Sequence, residues 1–373
     1  MIYKQFKDLQ LSSLGLGCMR LPQLPDNGGI DEAMTAQMVE YCMKQGVNYF
    51  DTAYIYHGGK SEVVMGQILS RYDRKSFYLA DKFPGFDPTF FTKIPEIFEE
   101  QLGRCQVDYF DFYLCHNVCE RNIDSYMDEE IGIIPYFLEQ KAAGRIKHLG
   151  FSTHAELPAL ERFLEAYGEH MEFCQIQLNF VDYKFQKAYE KIEILEKMGI
   201  PVWVMEPLRG GKLARETENM AEIREKHPDF SPVRWSFRFL KSIPTVTTVL
   251  SGASSLSQMQ ENISLFSEND PLSEEEMNAL LSLSEKMTAG IPCTACRYCV
   301  KDCPMGIDIP SVIEMYNEHT FTGGGFLAPM RIKSIPKENR PSACIACGKC
   351  KELCPQCINI PEIMEKFAES IEK

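Results

Sequence analysis

The last quarter of the chain contains the same pattern of four cysteines twice. The first run is Cys293, Cys296, Cys299 and Cys303, followed by Pro304, and the second is Cys344, Cys347, Cys350 and Cys354, followed by Pro355. Three thiolates at this spacing can hold one [4Fe-4S] cubane, and a fourth, placed next to a proline turn, can reach the neighbouring cluster. The pattern therefore predicts two [4Fe-4S] clusters, around which this segment must fold.

Two other uses of cysteine compete with this interpretation. Structural zinc usually takes four ligands in two pairs, and a disulfide framework needs an oxidising compartment. Neither predicts two runs of four that both end in Cys-Pro. The cysteines outside the runs scatter without a framework pattern, so we expect them to be reduced and mostly buried. Both runs already supply four ligands, and Cys357, just after the second run, is then a spare.

The composition is that of an ordinary globular protein. Of 373 residues, 45% are hydrophobic and 25% are charged, which suits one large domain and one small one. The N-terminus lacks the order of a secretory signal, and no stretch approaches the roughly 18 apolar residues that span a bilayer. We therefore expect a soluble, cytoplasmic protein without a membrane partner. The formal charge of −14 argues against a nucleic-acid partner, because phosphate binding relies on clustered lysine and arginine.

Short apolar, β-branched runs alternate with amphipathic segments between about residues 14 and 265, a pattern typical of parallel strands joined by helices. The predicted strands are Leu14–Cys18, Val47–Ala53, Phe77–Lys82, Tyr109–His116, Ile146–Thr153, Phe173–Asn179, Pro201–Leu208 and Thr245–Ala253. The helix-like stretches include Pro135–Ala143, Tyr183–Met198 and Pro232–Leu240. Eight such repeats over roughly 250 residues predict an α/β fold of the closed (β/α)8, or TIM, barrel type.

The ends of this barrel can also be placed. No G-x-G-x-x-G follows the first strand, which counts against a Rossmann domain. Tyr3–Leu11 is predicted to be a hairpin that caps the barrel bottom, and Ser273–Met287 a polar helix. We therefore expect a barrel domain at residues 1–287 and a small, mostly helical and loop-rich ferredoxin-like iron–sulfur domain at 288–373.

The segment between the two cysteine runs, Phe321–Ala343, is rich in basic residues. It contains Arg331, Lys333, Lys337 and Arg340 against a single acid, Glu338. A basic loop between two clusters can dock an acidic, ferredoxin-like electron carrier. The alternative, a solvated loop, is the interpretation that we favour.

Four ionisable residues lie at the C-terminal ends of predicted strands, where barrels of this kind place their active sites. They are Asp51 and Tyr56 after the second strand, Lys82 at the end of the third and His116 at the end of the fourth. A ketone that receives a hydride needs a proton, and a tyrosine can donate it if a nearby ammonium lowers its pKa. A carboxylate can hold that lysine, and an imidazole can orient the carbonyl oxygen. The set predicts a carbonyl-reduction site.

Over about residues 1–285 the sequence resembles the aldo-keto reductases. The resemblance rests on Asp51 and Tyr56 in their Phe-Asp-Thr-Ala context, Lys82, Leu114-x-His116, Gly150–His154, Gln175, Pro207-Leu208-x-Gly210-Gly211 and Gly252–Ser255 running to Asn262. It implies an extended nicotinamide dinucleotide across the barrel mouth and a small aldehyde or ketone as substrate. It also implies that Tyr56 is the general acid, that Lys82 and Asp51 tune it, and that His116 positions the substrate.

The resemblance implies further residues around the cofactor. Ser152, Thr153 and Gln175 match the positions that hold the carboxamide. The remaining implied contacts are Met205, Pro207, Leu208, Gly210, Ser251, Gly252, Ala253, Ser254, Gln258 and Asn262. Met205 stands where many members stack an aromatic ring, and Glu206 beside it is unusual. The run Ser251–Ser255 lacks the arginine or lysine typical of NADPH binding, so the expected cofactor is either NADH or NADPH.

Three functions remain open on this sequence. The protein is a carbonyl reductase whose clusters exchange electrons with a partner, an electron carrier whose barrel is a scaffold, or an ordinary reductase whose clusters are structural. The first has a chemical difficulty, because hydride carries two electrons and a [4Fe-4S] cluster exchanges one. We find no sequence motif for a flavin, which would convert between two-electron hydride transfer and one-electron cluster transfer. Substrate recognition is expected from Asn117–Ile131 and Arg209–Phe230, and Cys115 and Cys119 are expected to be packing residues.

Overall fold

The structure, a computed structural model, describes residues 1–26, 28–288, 290–293, 295–354 and 356–371. It divides into two compact units, Met1–Ser282 and Leu283–Lys373. The division falls within the last helix of the barrel segment, Glu274–Met287, so the domain boundary near residue 288 stays a prediction. No helix in the described part of the chain is long and apolar enough to span a bilayer.

The first unit is a closed barrel of eight parallel strands, preceded by a two-stranded antiparallel hairpin. The hairpin consists of β1 (Tyr3–Phe6) and β2 (Leu9–Ser12). The barrel strands are β3 (Leu14–Gly17), β4 (Tyr49–Asp51), β5 (Tyr78–Phe83), β6 (Phe110–Val118), β7 (Ile146–Thr153), β8 (Cys174–Gln177), β9 (Val202–Met205) and β10 (Val246–Ser251). Pairing of β10 with β3 closes the ring. The predicted (β/α)8 fold is confirmed, and every predicted strand overlaps a barrel strand.

The strands close tightly because small residues stand where neighbouring strands approach. Gly150 in β7 is one such position. A Cβ atom there would lie 2.5 Å from the backbone oxygen of Phe173 and 2.6 Å from its ring. Any side chain at this position would therefore push β7 and β8 apart.

The described residues of the barrel segment form twelve α-helices. They are α1 (Glu32–Lys44), α2 (Lys60–Leu69), α3 (Ile94–Cys105), α4 (Ile123–Met127), α5 (Ile133–Ala142), α6 (Leu157–Tyr167), α7 (Asp182–Phe185), α8 (Ala188–Lys197), α9 (Ala221–Lys226), α10 (Pro232–Lys241), α11 (Leu256–Leu265) and α12 (Glu274–Met287). The predicted helix Tyr183–Met198 is in fact two helices, α7 and α8. Lys187 separates them because its φ of 51° is left-handed and interrupts the helical hydrogen bonds.

Glu172 is an ionic hub beside the hairpin that precedes the barrel. It forms ion pairs with Lys7 and Lys141, and its Oε2 lies 2.8 Å from Nδ1 of His148. Burial alone would raise the pKa of Glu172, but the hydrogen bonds with His148, Lys141 and Lys7 outweigh burial and lower it well below 4.5. The hub links the hairpin, α5, β7 and the start of β8.

Replacing Glu172 with glutamine is expected to destabilise the barrel by about 1–3 kcal/mol at pH 7, because three basic groups lose a shared carboxylate. A carboxyl with a lowered pKa stabilises the fold above its ordinary pKa of 4.5 and loses that effect as the pH falls. The difference between variant and wild type should therefore stay nearly constant from pH 7 to about pH 5 and shrink as the pH falls below about 4.5. Urea unfolding followed by the fluorescence of Trp203 and Trp235 measures the free energy of unfolding of each variant. Glu169→Gln, at an exposed neighbouring position, is the control. An equal loss of stability in the control would contradict the role given to Glu172.

In its described residues, the second unit has four α-helices and an apolar core of its own. The helices are α13 (Ile309–Thr322), α14 (Leu327–Lys333), α15 (Lys349–Glu352) and α16 (Ile360–Ile371). Val312 and Ile313 of α13 and Met364 and Phe367 of α16 are buried together, with Cys299 and Cys350 in the same cluster. The cysteine runs are thus part of the core of this unit, and the predicted helix-and-loop character of the small domain agrees with its structure.

Candidate active site and cluster sites

The four predicted catalytic residues lie together at the C-terminal ends of β4, β5 and β6. Lys82 of β5 donates from Nζ to Oδ1 of Asp51 at 2.5 Å and to the backbone oxygen of Thr52 at 2.6 Å. The same Nζ is 3.5 Å from the hydroxyl of Tyr56. The rings of Tyr56 and His116 have centroids 6.0 Å apart and stand nearly perpendicular, at 81°. The arrangement brings a phenol, an ammonium, a carboxylate and an imidazole to one point of the barrel mouth.

Burial and charge set the protonation of these groups. Burial alone would lower the pKa of Lys82, but Asp51 and Tyr56 raise it above its usual value. Burial raises the pKa of Tyr56, and the Lys82 ammonium opposes that increase. The pKa of His116 is held well below 6.5 by burial and then by the charges of Lys82 and His154. At neutral pH the site therefore presents a neutral phenol beside an ammonium and a neutral imidazole.

This result refines one sequence-based expectation. Lys82 does lower the pKa of Tyr56, as predicted, but burial has the larger and opposite effect. Tyr56 consequently keeps its proton through the neutral range. A protonated phenol is the form that a proton donor to a carbonyl oxygen must have.

Several buried polar atoms of the mouth have no hydrogen-bond partner among the described residues. They include Oδ2 of Asp51, Nδ1 of His116, Oε1 of Gln175 and Oε1 of Gln177, the last residue of β8. Buried polar atoms are nearly always paired, so such a group of orphans is typical of a site that binds a polar ligand. The residues present therefore fit a carbonyl compound beside His116 and a carboxamide beside Gln175.

A short 3₁₀ turn, Tyr56–Gly59, presents Tyr56 to the site. His57 and Gly58 have left-handed φ values of 51° and 65°. The backbone N–H of Leu21 donates to Nε2 of His57 at 3.2 Å, which ties this turn to the loop after β3. The sequence analysis did not single out His57, because nothing in its neighbourhood distinguishes it from a surface histidine.

The predicted carboxamide residues differ in what they bind. Ser152 Oγ accepts the backbone N–H of Asn117 at 2.8 Å. Thr153 Oγ1 donates to the backbone oxygen of Val118 at 2.7 Å and accepts the N–H of Ala155 at 2.9 Å. Ser152 and Thr153 therefore shape the loops after β6 and β7, whereas Gln175 keeps a buried acceptor for a ligand.

Met205 ends β9, and the segment that follows holds Pro207, Leu208 and Gly210 in an unusual backbone. Glu206, Arg209 and Gly210 have φ values of 56°, 47° and 67°. Two buried side chains fix this path. Asn179 Nδ2 donates to the backbone oxygen of Glu206 at 3.0 Å, and Arg209 forms an ion pair with Asp182 at 3.0 Å.

Arg20, in the loop after β3, is a basic residue that the sequence analysis missed. Its guanidinium forms an ion pair with Glu206 at 2.7 Å. A Cβ atom on Gly210 would lie 3.0 Å from Nη1 of Arg20, and one on Gly252 would lie 3.4 Å from its Cδ. Arg20 thus lies against both glycines that the resemblance assigns to the cofactor. In the sequence, the unusual acid Glu206 was the one signal that could have predicted a basic partner at this position.

The segment after β10 is organised by the start of α11. Ser251 Oγ accepts from Nδ2 of the buried Asn262 at 2.8 Å and from the N–H of Ala253 at 3.2 Å. Ser255 caps α11, and Oε1 of Gln258 accepts the N–H of Ser254 at 2.9 Å. Asn262 and Gln258 therefore shape this loop, which leaves its exposed edge at Gly252 and Ser254.

The eight cysteines of the two runs surround two cavities. One is lined by Cys303 together with Cys344, Cys347 and Cys350. The other is lined by Cys293, Cys296 and Cys299 together with Cys354. Each cavity thus takes three cysteines from one run and the fourth from the other run. This is the crossed arrangement that the spacing predicts for two [4Fe-4S] clusters, and the residues present fit it.

Both cysteine loops have the same strained backbone. Ala295 and Ala346 have φ values of 52° and 53°, and Arg297 and Gly348 have values of 64° and 79°. Consecutive bends of this kind expose backbone N–H groups on one side of a loop, which favours an anionic ligand there. Pro355, the proline of the second motif, lies outside the described residues.

Other metal arrangements find less support. Among the described residues, no three His, Cys, Asp or Glu side chains form a group suited to a single metal ion. All fifteen cysteines are free of disulfides, and Cys115 and Cys119 are buried, as expected for packing residues. Cys357 is exposed and lines neither cavity, in keeping with its interpretation as a spare.

The basic segment between the runs is only partly a surface. Arg331 is buried, and Arg340 donates to the backbone oxygens of Ile335 at 2.8 Å and Lys333 at 3.2 Å. Lys333 and Lys337 are exposed. Arg331 and Arg340 therefore contribute to the structure of the segment, and Lys333 and Lys337 provide its exposed basic charge.

Comparison with known proteins agrees with both halves. The Aldo/keto reductase family matches residues 13–285, and a 4Fe-4S dicluster domain matches residues 292–359. The uncharacterized oxidoreductase YqkF of Bacillus subtilis is 27% identical over 74% of this chain and 93% of its own. The NADH-specific methylglyoxal reductase of Escherichia coli is 23% identical over 75% and 97%. The holo form of aldo-keto reductase AKR11C1 from Bacillus halodurans, with 26% identity, has a TM-score of 0.64 and covers 76% of this chain and 96% of its own.

Proposed function

Because the chain belongs to the aldo/keto reductase family and carries a 4Fe-4S dicluster domain, we propose that it reduces a small aldehyde or ketone with NADH or NADPH and binds two [4Fe-4S] clusters. The observation that carries the proposal is the contact of Lys82 with both Asp51 and Tyr56, next to the unpartnered Nδ1 of His116. A scaffold barrel would have no reason to keep an ammonium fully buried at its mouth.

The chain's own residues account for the proton. The nicotinamide, when bound, supplies the hydride that forms the new C–H bond. Tyr56 donates its phenolic proton to the carbonyl oxygen, so that hydride and proton together convert the carbonyl to an alcohol. Lys82 stabilises the phenolate that remains, and Asp51 holds Lys82 in place. His116, neutral because of burial, offers a hydrogen bond to the carbonyl oxygen and orients it.

The cofactor would be held by the loops after β7 to β10. We assign Gln175 to the carboxamide, on the strength of its unpartnered oxygen. We assign Met205, Pro207, Leu208 and Gly210 to one side of the dinucleotide. The other assigned positions are Ser152, Thr153, Ser251, Gly252, Ala253, Ser254, Gln258 and Asn262, of which Ser152, Thr153, Gln258 and Asn262 act through the loops that they shape.

Arg20 makes the choice of cofactor testable. Its side chain lies against the implied cofactor glycines Gly210 and Gly252, and its guanidinium is already paired with Glu206. Because Ser254 and Gln258 supply no cation for a 2′-phosphate, we expect NADH and NADPH to bind with dissociation constants within about tenfold of each other. Fluorescence titration of each reduced cofactor measures this, and a preference of more than about a hundredfold for NADPH would show that a phosphate clamp exists.

Anaerobic purification followed by addition of NADH or NADPH with a panel of small aldehydes and ketones tests the function. Oxidation of the cofactor that depends on the carbonyl supports the reductase. Bleaching of the cluster absorbance by the cofactor alone would connect the two halves of the chain. If neither cofactor binds, the reductase hypothesis is excluded and the electron-carrier hypothesis remains.

The clusters admit two roles, and each has an observation in its favour. Cys299 and Cys350 belong to the apolar core of the second unit, which favours a structural contribution. Cys296 and Cys347 are exposed, which favours electron exchange with an external carrier. We propose that an acidic, ferredoxin-like protein is that carrier. The absence of disulfides suits the reducing cytoplasm in which we propose that it works.

Exchange with such a carrier should depend on Lys333 and Lys337, the exposed basic residues of the segment between the runs. Replacing both with glutamate is expected to slow reduction of an acidic ferredoxin about tenfold at low salt, with carbonyl reduction unchanged. Stopped-flow absorbance measures the exchange. The matched control is Lys44→Glu with Lys226→Glu, two exposed lysines of the barrel. If the control pair slowed reduction of the ferredoxin equally, the effect would come from net charge and not from docking at Lys333 and Lys337.

A further inference from the structure

A buried polar network lies beside the peptide of Lys82, among β5, α2 and α3. Asp81 and Glu62 are both 0% exposed. Oδ1 of Asp81 accepts the backbone N–H of Lys82 at 2.8 Å. Nε2 of Gln101 donates to the backbone oxygen of Lys82 and to Oε1 of Glu62, each at 3.1 Å. Side chains therefore bind both backbone polar groups of the residue that carries the ammonium of the site.

These contacts occur because a strand ends early. The last residue of β4 is Asp51, and its partner on β5 is Ala80. Lys82 lies two residues further along β5 and has no partner on β4. Backbone groups buried beyond the end of a ladder need other partners, and Asp81 and Gln101 supply them.

The network is closed at its other end. Tyr113 of β6 donates its hydroxyl to Oε1 of Gln101 at 2.5 Å, and Arg104 of α3 forms an ion pair with Glu62 at 2.8 Å. Two buried carboxyls at hydrogen-bond distance share one proton, because both cannot ionise. Burial and then Glu62 raise the pKa of Asp81 well above its usual value. Asp81 is therefore the protonated partner, and Arg104 pairs with Glu62.

The network also connects Lys82 with Tyr56. The turn that holds Tyr56 ends at Gly59, and α2, which carries Glu62, begins at Lys60. The distance from Lys82 Nζ to the hydroxyl of Tyr56 is 3.5 Å, at the outer limit of a hydrogen bond. A shift of a few tenths of an ångström in either element would break this contact.

We propose that Asp81, Glu62 and Gln101 are positioning residues that hold Lys82 at the distance from Tyr56 that proton donation requires. The inference rests on the proposed carbonyl reduction. It assigns a role to residues that touch neither substrate nor cofactor, and it explains why an acid is buried in the barrel wall next to the lysine.

Asp81→Leu and Asp81→Asn test the proposal. Leucine removes the acceptor for the N–H of Lys82 and the donor to Glu62, so we expect kcat to fall about 10- to 100-fold with KM for the cofactor unchanged. Asparagine resembles the protonated acid, since it offers both an acceptor and a donor, and should retain most of the activity. Gln101→Met, which keeps the length of the side chain, should act like leucine and serves if Asp81→Leu does not fold.

The pH profile separates positioning from a merely structural role. Lys82 lowers the pKa of Tyr56, so moving the ammonium away raises it, and the alkaline limb of kcat should move to higher pH in Asp81→Leu. The charged or titratable groups facing Tyr56 and Lys82 are Asp51, Cys18, His116 and Asp81 itself. Those facing Asp81 are Glu62, Arg104, Cys105, Lys82 and Tyr113.

The outcomes are distinguishable. A lower melting temperature with an unmoved alkaline limb, or an asparagine variant as impaired as the leucine one, overturns the positioning role while the reductase stands. A wild-type protein that turns over no carbonyl overturns both the reductase and the role built on it. A moved limb, together with recovery by asparagine, supports the inference.

Discussion

Tyr56→Phe is expected to lower kcat for carbonyl reduction by about 10³-fold and to leave dinucleotide binding unchanged. The phenolic proton lies beside both Lys82 and His116, and its loss removes general acid catalysis, which contributes about 10²–10⁴-fold. The ring itself remains, so the edge contact with His116 and the packing of the mouth are kept. Single-turnover measurement of cofactor oxidation with saturating carbonyl isolates this step.

Tyr54→Phe is the matched control. Tyr54 lies two residues earlier in the same loop, and its hydroxyl donates to Oε2 of Glu100 at 2.8 Å, an exposed contact on the outside of the barrel. Its removal should change kcat by less than about twofold. If Tyr56→Phe kept more than about a tenth of wild-type kcat, another group would have to be the acid and the assigned roles of Lys82 and Asp51 would lose their basis.

The pH dependence follows from the direction of the pKa shift. Burial raises the pKa of Tyr56, so the phenol stays protonated through neutral pH and reduction should fall only on the alkaline side. His116 has a lowered pKa and stays neutral, so no loss from its protonation is expected between pH 6 and pH 8. Lys82→Met should move the alkaline limb upward, because the group that lowers the pKa of Tyr56 is gone.

Residues that follow a periodic rule could be predicted from the sequence. The barrel strands are apolar runs at regular intervals, and parallel strands bring their carboxyl ends to one rim, so Asp51, Lys82 and His116 had to meet there. The crossed cavities follow in the same way from cysteine spacing alone.

Contacts between segments that are distant in sequence could not be predicted. The ion pair of Arg20 with Glu206 joins loops that leave no local pattern at either end. The burial of Arg331 reverses an exposure that its basic neighbours suggested, and the break at Lys187 depends on one backbone angle. Asp81 next to Lys82 is visible in the sequence, but its partners Glu62 and Gln101 are supplied by packing.

Cys303→Ala is expected to remove the cluster whose other three ligands belong to the second cysteine run. Cys303 lines the cavity of Cys344, Cys347 and Cys350, so its loss should reduce the iron content from about eight to about four atoms per chain. The cluster held by Cys293, Cys296, Cys299 and Cys354 should survive. Iron analysis and the cluster absorbance of anaerobically purified protein measure the change. Cys357→Ser, which alters an exposed cysteine that lines neither cavity, should keep the full content.

Double variants decide whether the ligation is crossed. Adding Cys347→Ser to Cys303→Ala removes a second ligand from the same cavity, so no further iron should be lost. Adding Cys296→Ser instead removes a ligand from the other cavity, and both clusters should disappear. An uncrossed arrangement predicts the opposite pair of results, because Cys303 and Cys296 would then share one cluster. Cys299 and Cys350 also belong to the apolar core of the second unit, so loss of both clusters should unfold that unit. Carbonyl reduction measured in the same double variant then tests whether the barrel works without the clusters.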